Sequence, residues 1–387
     1  MILFLHNRYR TAGGEERAVE DLIWLVQDRL GEPAQLLGGD SASLPRSRAA
    51  IALLRGGERP AEVAAAVRES GARIVHAHNL NPLLGWRALA AAREAGAKVV
   101  LHLHQYRLVC AVGVCFTDGE RCTRCHGRNT LPGLRRNCRG SAAEAVSYAA
   151  ALSLWQSRIA ELADAVIVPS AFALRRLREL GAPLRFDRVR VLAPPLRGLA
   201  EPGPVGPGEG SGAGASQADH YALIASRLAP EKGIDVAIEA CIAAGRRLLV
   251  AGEGPERERL AHLAARAPAG QIELLGAISQ LELSRLRAGA AVALVPSRTD
   301  ETFGIAAAEA MAAGRPVIAS DLGALSELLE PAALVPAGDP VALAERMQAL
   351  WGDLAAGARN RSRVGEICDP AVVAKALAEV YDDLAAA

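Results

Sequence analysis

The stretch 292-VALVPSRTDETFGIAAAEAMAAGRPVIAS-320 reads as strand, polar loop, helix and strand again. A short apolar run ends at Pro296 and a helix starts near Gly304. Gly314 and Pro316 stop that helix, and a second apolar run begins at Val317. Glu301 lies in the loop and Glu309 in the second helical turn. A helix N-terminus offers unpaired N–H groups and a positive dipole end, which suits a phosphate. Carboxylates on either side of such an anion site can accept hydrogen bonds from sugar hydroxyls. The plainer reading makes Glu301 a dipole carboxylate and Glu309 a solvated helix residue. The alanines at 306, 307, 308 and 310 argue instead for a helix packed closely on its sheet.

The same alternation extends outward in both directions. Short apolar strands are expected at Ile2–His6, Ile74–Ala77, Val99–His102 and Ala165–Val168, and again at Tyr221–Ser226, Arg247–Ala251, Ile272–Leu275 and Ala291–Val295. Helices are expected between them, at about Arg17–Leu30, Leu83–Ala95, Ala171–Leu180 and Gly233–Ala244. Buried strands alternating with helices specify a parallel α/β sheet. Pro, Gly and Ser crowd 194–218 without an apolar period, which marks a linker. Two Rossmann-like domains facing across a cleft are therefore expected, over 1–195 and 219–369, with a linker at 196–218. A final helix at 370–387 is expected to pack back on the first domain. Ligands belong at the carboxyl ends of the strands.

The chain has 387 residues, enough for two domains. It is 51% hydrophobic and 22% charged, which excludes disorder. With 44 Lys+Arg against 43 Asp+Glu and only 4% aromatics, nothing favours nucleic acid as the partner. No run of about 20 apolar residues suggests a membrane span. The start MILFLHNRYR lacks a basic stretch before its apolar run and reads as a first strand, so a cytoplasmic protein is expected.

In 222-ALIASRLAPEKGIDVAIEA-240, Arg227 and Lys232 follow a strand. They could clamp a diphosphate, or simply flank a helix start with Glu231 as an ion-pair partner. Taken in order, S-R-L-x-x-x-K-G, G-E-G-P and P-S-x-x-D-E-T-F-G-x-x-x-x-E-A-M-A-x-G-x-P-V-I-A-S resemble the retaining glycosyltransferases of family four, over most of the chain. These are GT-B enzymes that use a nucleotide-sugar donor. The resemblance implies that Arg227 and Lys232 neutralise the donor diphosphate and that Glu301 lies beside the transferred sugar. It implies that Phe303 and Gly304 open the helix whose amides meet phosphate or sugar, and that Glu309 takes the ribose hydroxyls. The loop Gly276 to Ile278 is similar to the one bordering the base. Gly13 and Gly14, expected in a turn after the first strand, resemble the loop that closes over the diphosphate and faces the acceptor. His104 resembles the cleft position of H-N-Y-R, although Gln105 stands where Asn is usual; Arg107 is a candidate for phosphate or acceptor contact.

Five cysteines cluster at 110, 115, 122, 125 and 138. Cys122 and Cys125 form a C-x-x-C knuckle, and Cys110 and Cys138 could complete a structural zinc site, with His126 as a spare ligand. Reduced thiols in an insertion loop are the other reading. A similar cysteine-bearing insertion occurs in one branch of the family, often linked to cell-surface polysaccharide assembly. The helix Ser141–Ala160 carries Tyr148, Leu152 and Trp155 along one side after Arg135, Arg136 and Arg139. That stripe is either core or a peripheral membrane contact.

The resemblance implies transfer of a sugar, with retention, from a nucleoside diphosphate (UDP by default) to a saccharide, lipid-linked or small-molecule acceptor. No D-x-D motif is present, so no divalent ion is expected in catalysis. The alternatives are a GT-B epimerase or phosphorylase, or a non-catalytic nucleotide-binding subunit.

Overall fold

The computed structural model describes residues 1–8, 14–41, 43–200 and 220–386. The chain forms two compact units. The first holds Met1–Thr117, Arg121–Pro195 and Pro370–Ala387; the second holds Leu196–Asp369 and the three residues Asp118–Glu120. Gly13 and most of the expected linker, from residue 201, lie outside the described residues.

In the first unit the strands are β1 (Ile2–Arg8), β2 (Ala34–Asp40), β3 (Ile74–Ala77), β4 (Lys98–His102), the short hairpin pair β5 (Phe116–Thr117) and β6 (Glu120–Arg121), β7 (Ala165–Val168) and β8 (Val189–Val191). Six of them form a parallel sheet in the order β2-β1-β3-β4-β7-β8. The period of two divides its core. Leu3, Leu5, Val75, Ala77, Val99 and Leu101 face one layer. Ile2, Phe4, Ile74, Val100 and Ile167 face the other, where the C-terminal helix Pro370–Ala386 buries Val373, Leu377 and Tyr381.

The second unit contains β9 (Ala222–Ala225), β10 (Leu248–Ala251), β11 (Ile272–Gly276), β12 (Val292–Val295), β13 (Val317–Ser320) and β14 (Leu334–Val335). They form a second parallel sheet, ordered β11-β10-β9-β12-β13-β14. Its core joins Ile224, Val250, Val292, Leu294 and Ile318 to helix residues Ile234, Ile238 and Met347.

The order of strands reverses once in each sheet, between β1 and β3 and between β9 and β12. Such a reversal separates the loops leaving the two central strands and opens a crevice at their carboxyl ends.

Five strands were not expected: the hairpin strands β5 and β6, and three at the edges of the two six-stranded sheets, β2, β8 and β14. One correction concerns Gly14. It does not sit in a turn but is the first residue of the helix Gly14–Asp28, which begins three residues before the expected Arg17. Glu15 and Glu16 then fall in the first turn, where the helix dipole favours acidic side chains and helps this earlier start.

Candidate active site

The reversal point of the second sheet gathers most of the residues singled out in sequence. Arg227 to Lys232 leave β9, and Ser297 to Glu301 leave β12. Lys232 Nζ donates to Glu301 Oε1 at 2.7 Å, and Ser297 Oγ donates to the same oxygen at 2.6 Å. Burial pushes the Glu301 carboxyl up. The Lys232 charge and hydrogen bond, the Ser297 hydroxyl and the more distant Arg227 outweigh that and hold it below the ordinary carboxylate range. Glu301 is therefore ionised at neutral pH. Arg227 is exposed and pairs with the buried carboxylate of Glu231.

Glycines bring these loops together. Gly233 has φ +61°, and a Cβ there would lie 2.0 Å from Pro296 O, so only glycine lets the turn after Lys232 lie against the β12 loop. Arg298 N donates to Glu231 O at 2.8 Å across the same seam. Gly304, at φ +94°, caps the helix Ile305–Ala312 behind buried Phe303. A Cβ on Gly304 would meet Leu325 Cδ2 at 2.6 Å. The first N–H groups of this helix begin directly beyond that glycine.

Glu309 lies on this helix and pairs with Arg287 from the neighbouring helix Gln280–Gly289. Both side chains are at most 14% exposed. Arg287 was not singled out in sequence. It lies in a polar-looking helix, QLELSRLRAG, with no motif around it. Gly276 ends β11 at φ +75°, and a Cβ on it would lie 2.8 Å from Glu253 Oε1, on the loop that follows β10. Ile278 is half-buried two residues further on.

The reversal point of the first sheet is built differently. Its residues lie on the face that starts with Ile2, Ile74 and Val100 and continues toward the carboxyl ends as Phe4, His76 and His102, then His6, His78 and His104. The imidazoles stack: His76 on His78 at 4.7 Å between centroids, His78 on His104 at 5.1 Å and His102 on His104 at 4.3 Å. Two hydrogen-bonded chains run through them. His76 Nδ1 meets the Tyr381 hydroxyl at 2.7 Å and His76 Nε2 meets His102 Nδ1 at 3.2 Å. His78 Nδ1 meets His104 Nε2 at 2.8 Å. Burial pushes His76 down to about 3 and His104 to about 4, and lowers His78 and His102 well below the usual imidazole range. The ladder is neutral at pH 7. Beside it Asn79 Nδ2 donates to Asn7 O at 2.6 Å, and Asn7 N donates to Asn79 O at 2.8 Å.

Ligand atoms of His76, His78 and His102 lie within 4.8 Å of one another. The ring planes nevertheless lie within 28° of parallel. In-plane lone pairs on stacked rings run side by side and do not converge on one ion, so the cluster is a hydrogen-bonded ladder and not a metal site. His78 Nε2 is buried without a hydrogen-bond partner among the described residues. A buried polar atom left in this state is an open position for a ligand hydroxyl. H-A-H-N at the end of β3 was the signal for His78 and Asn79, and it was passed over as plain strand.

The cysteines at 110, 115, 122, 125 and 138 line one small cavity of the first unit. His126 does not line it; its ring packs where a Cβ on Gly181 would sit, 2.4 Å away. The stripe on the helix Ala142–Leu162 belongs to packing. Leu152 is buried, Trp155 stands 5.5 Å from Trp86 and donates to Leu54 O, and Arg139 covers Tyr148. No helix among the described residues is long and apolar enough to cross a membrane.

Two parallel sheets, each with a single reversal and polar loops at its carboxyl ends, define the GT-B glycosyltransferase architecture. Residues 219–353 match the domain family Glycosyl transferases group 1, and residues 11–195 match the Glycosyl transferase 4-like domain. Among solved structures, Anabaena HepE in complex with UDP has a TM-score of 0.65 at 18% identity, over 99% of this chain and 100% of that one. A likeness at that identity shows the fold. The phosphatidyl-myo-inositol mannosyltransferase of Mycobacterium leprae is 35% identical over 40% of this chain and 44% of its own length. The GDP-mannose-dependent alpha-(1-6)-phosphatidylinositol dimannoside mannosyltransferase of Mycobacterium tuberculosis is 43% identical over 27% of this chain and 28% of its own length. The matches thus span less than half of these curated relatives.

Proposed function

We propose that this chain is a retaining glycosyltransferase that moves a sugar from a nucleoside diphosphate sugar to an acceptor hydroxyl. The observation that carries the reading is the Lys232–Glu301 pair at the reversal point of the second sheet, beside Arg227 and the glycine-capped start of the helix Ile305–Ala312.

As the glycosidic bond breaks, negative charge collects on the leaving diphosphate. Preorganised cations and helix amides that meet this charge lower the barrier. Lys232 supplies a point charge, held in place by Glu301. Arg227 supplies a fork that can meet phosphate oxygens while it keeps Glu231. These cations take the part a divalent ion would play, so catalysis is metal-independent. The oxygen of Glu301 not bound by Lys232 and Ser297 is available to a sugar hydroxyl. Glu309 accepts the ribose hydroxyls, and Arg287 cancels its charge so that it does not repel the diphosphate. Gly276 and Ile278 border the base. On the first unit, neutral His104 and His78 hydrogen-bond the transferred sugar or the acceptor, with Arg107 close to His104 in sequence and Gly13 and Gly14 on the segment that follows β1. The departing phosphate takes the acceptor proton on the same face, which gives retention without a protein nucleophile.

UDP is the default donor nucleotide, as in the HepE complex, and GDP is the competing one, as in the name of the Mycobacterium tuberculosis relative. The acceptor class covers saccharides, lipid-linked saccharides and small molecules, in cell-surface polysaccharide or glycoconjugate assembly, with peripheral membrane contact for a lipid-linked one. The test is release of UDP or GDP from a panel of donor sugars. Release that depends on acceptor, with an α-linked product from an α-linked donor, supports the reading. Epimerised donor without transfer would replace it with the epimerase alternative.

A further inference from the structure

The insertion that follows β4 has few apolar anchors of its own and is tied by hydrogen bonds to the helix Ala142–Leu162, where Thr130 Oγ1 donates to Ala149 O at 2.7 Å and Gln156 Nε2 donates to Gly127 O at 2.8 Å. Between Arg121 and Arg139 it carries six arginines, no acidic residue and few apolar ones. Yet it folds back on itself in defined turns. Asp118 and Gly119, at φ 52° and 77°, close the β5–β6 hairpin. Cys122 N donates to Cys115 O at 2.8 Å across that hairpin, and Cys138 N donates to Gly133 O at 3.1 Å after the short helix Leu131–Arg135. These turns bring five sulfurs, from four separate points of the segment, to one cavity. None of the five is joined in a disulfide. A Cβ on Gly133 would lie 3.5 Å from Cys125 Sγ, so this wall of the cavity carries no side chain.

We propose that this cavity is a structural zinc site, with Cys110, Cys122, Cys125 and Cys138 as ligands and Cys115 as a hydrogen-bond donor to the Cys110 sulfur. The C-x-x-C knuckle supplies two adjacent corners of a tetrahedron, and the residues on either side of the insertion supply the other two. Binding displaces four thiol protons to solvent and leaves a site of net charge −2. The arginines offset that charge; Arg124 Nη1 already lies 4.0 Å from Cys122 Sγ. Cys115 is buried and hydrogen-bonded to Cys110, the geometry of a group that supports a ligand and does not itself bind.

The site would also steady the candidate active site of its own unit. Cys110 N donates to Tyr106 O at 2.8 Å, and Tyr106 N donates to Gly113 O at 2.9 Å. Gln105 Nε2 donates to Glu15 Oε2 at 2.8 Å. Metal at Cys110 therefore fixes the turn His104–Arg107 through two main-chain hydrogen bonds.

The test uses the full chain, purified under reducing conditions without added metal. Elemental analysis is expected to find about one zinc per chain. Exchange of zinc for cobalt is expected to give the sulfur-to-cobalt charge-transfer band and the intense visible bands of a tetrahedral thiolate site. Cys125→Ser and Cys138→Ser lose stoichiometric zinc. Cys115→Ser keeps it, with affinity lowered by about 10–100-fold, and Cys241→Ser, outside the insertion, keeps it unchanged. If the ligand variants fail to fold, zinc content and the cobalt spectrum of the unmodified chain still decide. Zinc far below stoichiometry, iron in its place, a Cys122–Cys125 disulfide, or cobalt bands without sulfur charge transfer would each overturn the proposal.

Discussion

The two sheets place their reversal points in the same way and equip them in opposite ways. At the β9/β12 point the side chains are ionised and paired: Lys232 with Glu301, Arg227 with Glu231, Arg287 with Glu309. At the β1/β3 point the hydrogen-bonding groups are neutral, two asparagines and a stack of imidazoles that burial keeps uncharged, and the charge beside them is the acidic Glu16, 4.0 Å from His6. The fold supplies the crevice, and the residues at the strand ends decide what it can hold. A site of paired charges holds its cations preorganised for a phosphate, and an arginine fork can meet a phosphate oxygen while it keeps its carboxylate, so that buried Glu231 is not left unpaired. A neutral site would repel no sugar hydroxyl and attract no polyanion. Under the proposed function, this contrast puts the diphosphate on the second unit and hydroxyl recognition on the first.

The sharpest way to break that contrast is Lys232→Ala. Loss of a cation that meets transition-state charge should lower turnover by about 100-fold or more, read as nucleotide release with acceptor present. Near-normal turnover would remove the diphosphate from the second unit.

The neutral half is tested by acid. His104 and His76 are pushed from an ordinary 6.5 to about 4 and about 3 in the fold. The unfolded chain therefore binds more protons than the folded one below pH about 6.5, and stability falls as pH drops from there toward 4. The midpoint of urea unfolding of the first unit should decline between pH 7 and pH 5, and His76→Leu should flatten the decline. An unchanged slope in that variant would mean the ladder is not what titrates.

Smaller effects refine the picture. Gly304→Ala puts a Cβ in a left-handed position against Leu325 and should destabilise the second unit by about 1–3 kcal/mol, seen as a lowered Tm. His78→Ala removes one neutral hydrogen-bonding group and should cost about tenfold in kcat/KM, with UDP affinity unchanged. A comparable loss of UDP affinity would erase the distinction between the two units.

Much of this was legible in the sequence because chemistry and turns lie close together in it. The run from Pro296 to Ser320 carries loop, cap, helix and strand signals in order, and Arg227 with Lys232 follows an unmistakable strand. Edge strands were missed because they need few apolar residues: β14 is two residues long and β2 is AQLLGGD with two glycines. Arg287 was missed because its partner Glu309 is 22 residues away and on another helix. The histidine ladder was missed for a similar reason. Its members are ordinary single histidines along three strands, and only the parallel register stacks them. Gly14 was misplaced because two glycines in a row suggested a turn, whereas the acidic residues after them favour an earlier helix start.

The most direct measurement titrates UDP, GDP and uridine into the intact protein and into Lys232→Ala, by calorimetry at low and high salt. The account predicts binding of a nucleoside diphosphate that weakens with salt, little binding of uridine, and a large loss of affinity in the variant. Equal affinity for uridine and UDP, or undiminished UDP binding in Lys232→Ala, would contradict it.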